Sequence, residues 1–230
     1  MAKRSEREEE NAQGIQGRKK RLGRPRLDAP SPDFLSKRAE IIDAAARVFQ
    51  ERGYEAGTLK DVAEAVGVTA GNIYYYIKNK EELLYEIILR SIKIALSSIQ
   101  QVINLDCDSG KRLQIIMENH VDMLIKEKYA FSVFFEQKEK LPPEYYRIIR
   151  DKEREYTQYF QDAVKAAIQD GYLAKIDPLL AYQAIIGMCN WVYKWHRPNQ
   201  PIEAKPLIEQ WFRMIHSGQA AENNTGVTGE

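Results

Sequence analysis

Thr69, Ala70, Gly71 and Asn72 follow one another in the stretch TLKDVAEAVGVTAGNIYYYIKNK, and Tyr74, Tyr75 and Tyr76 come one turn later. Small and hydrogen-bonding side chains in that order suit an element that must lie close to a base-pair edge. An asparagine amide can pair twice with adenine, and an alanine methyl can touch the thymine methyl. Tyrosine hydroxyls and a lysine such as Lys80 suit phosphates. Backbone N–H groups capped by Thr69 and Asn79 also favour an anion. A second basic feature lies upstream: Arg18, Lys19, Lys20, Arg21, Arg24 and Arg26 fall within nine residues without one acid. Such a block reads either as a contact to nucleic acid or an anionic surface, or as a solvated tail. Spacing alone also leaves open an ordinary helical hairpin in which the three tyrosines simply pack.

Chemistry of other kinds finds little support. There is no G-x-S-x-G, P-loop, G-x-G-x-x-G or H-E-x-x-H pattern, so no catalytic residues are expected and the chain is read as no enzyme. Three histidines lie far apart, and Cys107 and Cys189 are the only cysteines, so neither a metal nor a cofactor is expected. Both cysteines are expected reduced, inside helices.

The elements that must position these residues are helical. Ile41, Ala45, Val48 and Phe49 mark one face of a helix over Arg38–Arg52, with Gly53 placed to stop it. Thr58 and Asp61 have capping-box spacing ahead of Val62, Ala63 and Val66, and Gly67 ends that short helix. Thr69 can cap a second short helix carrying Ile73. Asn79 with Glu82 opens a long third, striped by Leu84, Ile87, Ile88, Ile92, Ala95, Ile99 and Val102. Five further helical runs follow, one from Pro142-Pro143 to Gly171 and another capped by Asp177 and stopped before Pro198. No hairpin signal appears. The expectation is an all-α chain of about nine helices: a flexible basic arm over 1–30, a three-helix helix-turn-helix unit over 31–79, a helical effector and dimerisation bundle over 80–217, and a disordered tail over 218–230.

The segment KRAEIIDAAARVFQERGYEAGTLKDVAEAVGVTAGNIYYYIKNKEELLYEII, residues 37–88, resembles the DNA-binding domain of the TetR family of bacterial transcriptional regulators. The resemblance implies a homodimer that acts on a pseudo-palindromic operator, most often as a repressor, with the Thr69–Tyr75 helix in a major groove. It implies that Thr58 and Lys60 meet the backbone, that Thr69, Ala70, Asn72, Tyr75 and Tyr76 face the groove, and that Tyr74 and Lys80 lie at phosphates, with Gly71 also in the DNA-binding set. Ala70 stands where a polar or basic residue is frequent, and Ile77 where Phe is usual. In the arm, RLGRPRL resembles an AT-hook, with Arg24 and Arg26 suited to the negative potential of a narrow minor groove.

Further along, GMCNWVYKWHRPNQP, residues 187–201, resembles a subgroup of the family that senses CoA thioesters. This implies an acyl-CoA of lipid or aromatic degradation as effector, with Trp191, Lys194, Trp195 and Arg197 at its polar end. Trp191 and Trp195 can equally form a dimer seam. His120 sits on an apolar stripe, as a hydrogen-bonded core residue or a ligand contact, and Met123, Phe131, Phe134, Phe135 and Met188 can line a tunnel or the core. Leu207, Trp211, Phe212 and Ile215, with Trp191, form the expected dimer interface. Sensing of unrelated hydrophobic drugs, and an effector-free DNA-organising protein, are the competing functions.

Composition agrees with this picture. The chain has 230 residues, 44% of them hydrophobic, and a formal net charge of +1. That total hides an asymmetry, since residues 1–60 hold 14 Lys+Arg against 10 Asp+Glu. MAKRSEREEE lacks the apolar core of a signal peptide, and no window approaches ~18 apolar residues. A cytoplasmic, nucleoid-associated protein without a membrane partner is expected.

Overall fold

The computed structural model describes residues 30–197 and 202–216, and the arm and tail expected at 1–30 and 218–230 lie almost wholly outside them. The chain divides into two units, residues 1–35 and 36–230, and every tertiary contact given below lies within the second. Among the described residues there are eight α-helices and two short 3-10 turns. The all-α expectation holds. The difference from nine helices is the second short helix, which forms a 3-10 turn over Asn72–Tyr75 in place of an α-helix. Its sequence explains this: Gly71 and Asn72 are poor helix formers, three aromatics follow, and Ile77 must reach the core only one residue later.

Helix α1, Pro32–Arg52, begins earlier than its apolar pattern suggests because Pro32 is well placed in a first helical turn. It buries Ile41, Ala44, Ala45, Val48 and Phe49, and Gly53 stops it at φ +79°, where a side chain would be strained. Helix α2, Leu59–Ala65, starts on the expected capping box: the Asp61 N–H donates to the Thr58 hydroxyl, and the Thr58 N–H donates to the Asp61 carboxylate at 2.8 Å. Gly67 turns the chain at φ +68°, and the Val68 N–H closes the turn on the Ala63 carbonyl.

Helix α3, Lys80–Ile103, is capped by Asn79, whose side chain accepts from the Glu82 N–H at 2.7 Å. Helix α4, Ser109–Lys126, follows a tight connection capped by Asp108. Cys107 lies in that connection, not in a helix, whereas Cys189 is helical and buried. Helices α5, Lys128–Gln137, and α6, Pro143–Gln169, are joined through a 3-10 turn at Lys138–Lys140. Helix α7, Pro178–Trp195, has the expected Asp177 cap, and α8, Ala204–His216, ends the described chain.

Helix α3 packs on α4, α5 and α6, and α4 also meets α6, α7 and α8. Helices α7 and α8 each pack on α4 rather than side by side. Leu83, Leu84, Ile87, Ile88, Leu113, Met117 and Phe160 are fully buried in one continuous apolar cluster with Ile41, Phe49 and Ile73. Truncating one of these aliphatic side chains to alanine costs about 2–5 kcal/mol in such a site.

The two glycines flanking Thr69 differ sharply. Gly67 needs its positive φ, so Gly67→Ala should destabilise the fold by about 1–2 kcal/mol. Gly71 has φ −73° and ψ −35° with nothing within 4 Å of an added Cβ. Gly71→Ala should therefore leave stability unchanged or raise it by up to about 1 kcal/mol. Urea unfolding of both variants measures the contrast.

Candidate nucleic-acid interface and buried cavity

The 3-10 turn is held from beneath and exposed above. Ile73 and Ile77 are buried at either end of it, and Thr69 accepts the Asn72 N–H on both its hydroxyl and its carbonyl. Thr69, Ala70, Gly71 and Asn72 are exposed, as are Tyr74 at 60% and Tyr75 at 68%. Two tyrosine rings this exposed are large apolar surfaces that a free protein has reason to hide. Tyr76 departs from the expected groove-facing set. It is half-buried against the core, its ring meeting that of Tyr75 edge-on at 5.0 Å.

Beside the turn, an open depression of about 420 Å3 is lined by Gly57, Thr58, Leu59, Lys60, Tyr74, Lys78, Asn79 and Lys80. It holds three lysines and no carboxylate, which suits a phosphate. The structure thus brings together Thr58, Lys60, Tyr74 and Lys80 as expected, and adds Lys78, whose sequence signal is only its place beside the Asn79 cap. Two members are partly occupied. The Thr58 hydroxyl and N–H are both bound to Asp61. Lys80 Nζ donates to the Glu55 carbonyl at 3.0 Å and sits 4.4 Å from the centre of the Tyr54 ring. Burial of Tyr54, with help from Glu81 and Glu55, pushes its hydroxyl up to about 12, so it stays neutral under that lysine. Arg24 and Arg26 lie outside the described residues.

Arg38 fixes the start of α3 to α1. Its guanidinium reaches Glu82 at 3.4 Å and Glu86 at 3.0 Å, and its Nε donates to the Tyr76 carbonyl. The Glu86 bond is the main reason that its pKa is raised. Further along α3, Arg90 pairs with Asp43 of α1.

Within the bundle lies a cavity of about 120 Å3. Of the expected ligand residues, His120, Met123, Phe131, Phe134 and Phe135 line it. Met188, Trp191, Lys194, Trp195 and Arg197 are not among its lining. Trp191 is 62% exposed, Lys194 is paired with Glu136, and Arg197 is exposed. The lining that sequence reasoning missed comes from α3, α6 and α7: Ile92, Ala95, Glu153, Tyr156, Thr157, Tyr182, Ile186 and Asn190. A heptad-like stripe identifies apolar residues facing inward, but nothing in it pairs a histidine with partners 36 and 70 positions away. His120 Nδ1 lies 2.7 Å from the Tyr156 hydroxyl, and its Nε2 lies 2.9 Å from Asn190 Oδ1. His120 is therefore both a satisfied core residue and part of the cavity wall.

Of the expected interface residues, Leu207, Trp211, Phe212 and Ile215 are only partly covered by the chain's own core. Helix α7 instead presents Leu180, Ala184, Gly187 and Trp191 outward at helical spacing, with Leu180 66% and Trp191 62% exposed. Among the described residues no group of three or more His, Cys, Asp or Glu could hold a metal ion, and no helix is long and apolar enough to cross a membrane.

A short helix, a glycine turn and an exposed second element set on a larger helical bundle define a helix-turn-helix DNA-binding protein with an interior cavity. Residues 41–87 match the family described as bacterial regulatory proteins, tetR family, and residues 106–219 match the tetracyclin repressor-like C-terminal domain. The chain belongs to the TetR family. A crystal structure of a TetR/AcrR-family transcriptional regulator from Thermobifida fusca YX-ER1 is 30% identical, with a TM-score of 0.61, and the match covers 80% of this chain and 98% of that one. The transcriptional repressor KstR2 of Rhodococcus jostii is 22% identical over 200 residues, 85% of this chain and 98% of its own. The structure of AibR with isovaleryl coenzyme A and operator DNA is 23% identical with a TM-score of 0.70, covering 78% of this chain and 98% of that one.

Burial gives His120 a pH signature. Loss of solvent, only partly offset by the Asn190 bond, lowers its pKa from 6.5 to about 4. The unfolded chain therefore takes up the proton first as pH falls. Stability present above pH 6.5 should decline toward pH 4, by up to about 1.4 kcal/mol per pH unit, and this contribution should level off below. His196, lowered by burial and then by Lys128, adds to the same trend. Thermal unfolding between pH 7 and 4 should show a shallower decline for His120→Gln than for the wild type.

Proposed function

We propose that the protein is a homodimeric transcriptional repressor that leaves its operator when a small molecule enters the bundle. The observation that carries this reading is the pairing of an exposed recognition turn with a small, partly polar cavity on the same long helix. Ile92 and Ala95 of α3 line the cavity, and the first residues of α3 follow the turn directly. A domain division at about residue 80, with the DNA-binding unit before it and the effector and dimer unit after, fits that arrangement.

The outward stripe Leu180, Ala184, Gly187 and Trp191 supports a two-fold seam along α7, where the small residues allow close approach of a second copy. Leu207, Trp211, Phe212 and Ile215 would close it from α8. A dimer in turn asks for a pseudo-palindromic operator.

An acyl-CoA is the proposed effector class. The support is the likeness of residues 187–201 to CoA-responsive members, the isovaleryl coenzyme A bound by AibR, and the likeness to KstR2, described as a ketosteroid transcriptional regulator. Trp191, Trp195, Lys194 and Arg197 would meet the nucleotide end outside the cavity. A drug-sensing role is favoured by one observation, the aromatic wall of Phe131, Phe134, Phe135, Tyr156 and Tyr182. Release of operator DNA by a panel of CoA thioesters supports the first role, and release only by aromatic drugs supports the second.

The DNA face separates into two kinds of contact. Asn72→Ala and Tyr75→Ala should each weaken operator binding by ~1–3 kcal/mol while hardly changing binding to unrelated duplex. Lys78→Ala should weaken both alike and lower the salt dependence by about one counterion. Removing residues 1–30 should flatten that dependence further. Fluorescence anisotropy over a salt series reads all of these, and an unchanged slope after removal of the arm would place it off the DNA.

A further inference from the structure

The cavity sets limits on what can enter it, in size and in charge. An engineered apolar cavity of about 150 Å3 takes up benzene, so about 120 Å3 accommodates roughly six heavy atoms. Phe131, Phe134, Phe135 and Tyr182 stand in its wall, and a long chain would fit only if they moved. No lysine or arginine lines it. The one charged lining residue is Glu153, and its carboxylate is already paired with Lys138 at 2.7 Å. A ligand carboxylate placed there would lie beside another acid, with the neighbouring lysine already engaged.

The polar atoms are arranged as a relay through His120, which is neutral and carries one ring proton. With that proton on Nε2, the imidazole donates to Asn190 Oδ1 and accepts from the Tyr156 hydroxyl on Nδ1, and the Asn190 N–H groups are left to the cavity. With the proton on Nδ1, the imidazole donates to the Tyr156 oxygen and accepts from an inverted Asn190 amide on Nε2. The Tyr156 O–H is then left over. Either tautomer leaves a neutral donor at the cavity and no cation.

We propose that this cavity takes a short uncharged acyl group, of up to about six heavy atoms, whose carbonyl oxygen accepts the hydrogen bond left by the His120 relay. Free carboxylates and long acyl chains are excluded. The inference rests on the cavity being the effector site, and it narrows the acyl-CoA reading to short-chain thioesters.

Isothermal titration of the full-length protein with butyryl-, hexanoyl- and palmitoyl-CoA, S-butyl-CoA, coenzyme A and butyrate tests it. S-butyl-CoA keeps the chain and loses only the carbonyl oxygen. Butyryl-CoA should bind about fivefold more tightly than S-butyl-CoA, as one neutral hydrogen bond warrants. Palmitoyl-CoA and butyrate should bind far more weakly than butyryl-CoA. The ratio of butyryl- to S-butyl-CoA affinity should fall toward one in Asn190→Ala or in Tyr156→Phe, whichever supplies the outward hydrogen. Equal affinities of the two ligands for the wild type, or palmitoyl-CoA binding as tightly as butyryl-CoA, would overturn the inference and leave the acyl-CoA effector standing. Absence of binding by every thioester would remove both.

Discussion

Helix α3 has to satisfy two cores at once, and the rest of the molecule is arranged around that demand. Its first three turns bury Leu83, Leu84, Ile87 and Ile88 completely, in the same apolar cluster as Ile41, Phe49, Ile73 and Ile77. Its middle supplies Ile92 and Ala95 to the cavity wall. Twelve residues separate Lys80 from Ile92, a rise of about 18 Å in one unbroken helix. Interiors packed at this density transmit a shift of the helix rather than absorb it. Its cap, Asn79, lies two residues beyond the buried Ile77 that anchors the recognition turn. A tilt of α3 therefore moves Tyr74 and Tyr75 with it.

Ion pairs set the angle of this helix more than they stabilise it. Arg38 on Glu82 and Glu86, and Arg90 on Asp43, tie α3 to α1 at two heights. At the other side, the 3-10 turn Lys138–Lys140 reaches both ways. Lys138 binds Glu153 and lies over the Phe134 ring of the cavity wall, while Lys140 binds Glu55 and lies over Tyr54. Pairs as exposed as Lys140 with Glu55 add little to stability, so their effect is on orientation. The bound Lys140 nonetheless holds the Glu55 carboxyl below its usual range.

Local signals carried most of the fold. The Thr58–Asp61 box, the Asn79 and Asp177 caps, the Gly53 and Gly67 stops and the α3 stripe are each encoded within a few residues, and each is where its spacing puts it. The recognition element was legible in place and not in geometry: Ile73 and Ile77, four residues apart, anchor a 3-10 turn as readily as a helical one, and Tyr76 turns inward with them. The cavity was half legible. Met123, Phe131, Phe134 and Phe135 lie on or next to an inward stripe, but Tyr156 and Asn190 are polar residues on distant helices, and only tertiary packing shows that His120 joins them. Met188, Trp191, Lys194, Trp195 and Arg197 illustrate the converse, aromatic and basic groups on the same helix end that are not part of the cavity wall.

If α3 converts occupancy of the cavity into a different spacing of the two recognition turns in a dimer, that spacing must change when ligand binds. Pulsed electron-spin distance measurement tests this directly, with a nitroxide on Glu64→Cys, exposed at the end of α2, in a Cys107→Ser background. One inter-subunit distance is expected on operator DNA, and a displaced distance once a releasing acyl-CoA saturates the protein. An unchanged distance distribution, with ligand bound and operator released, would contradict it.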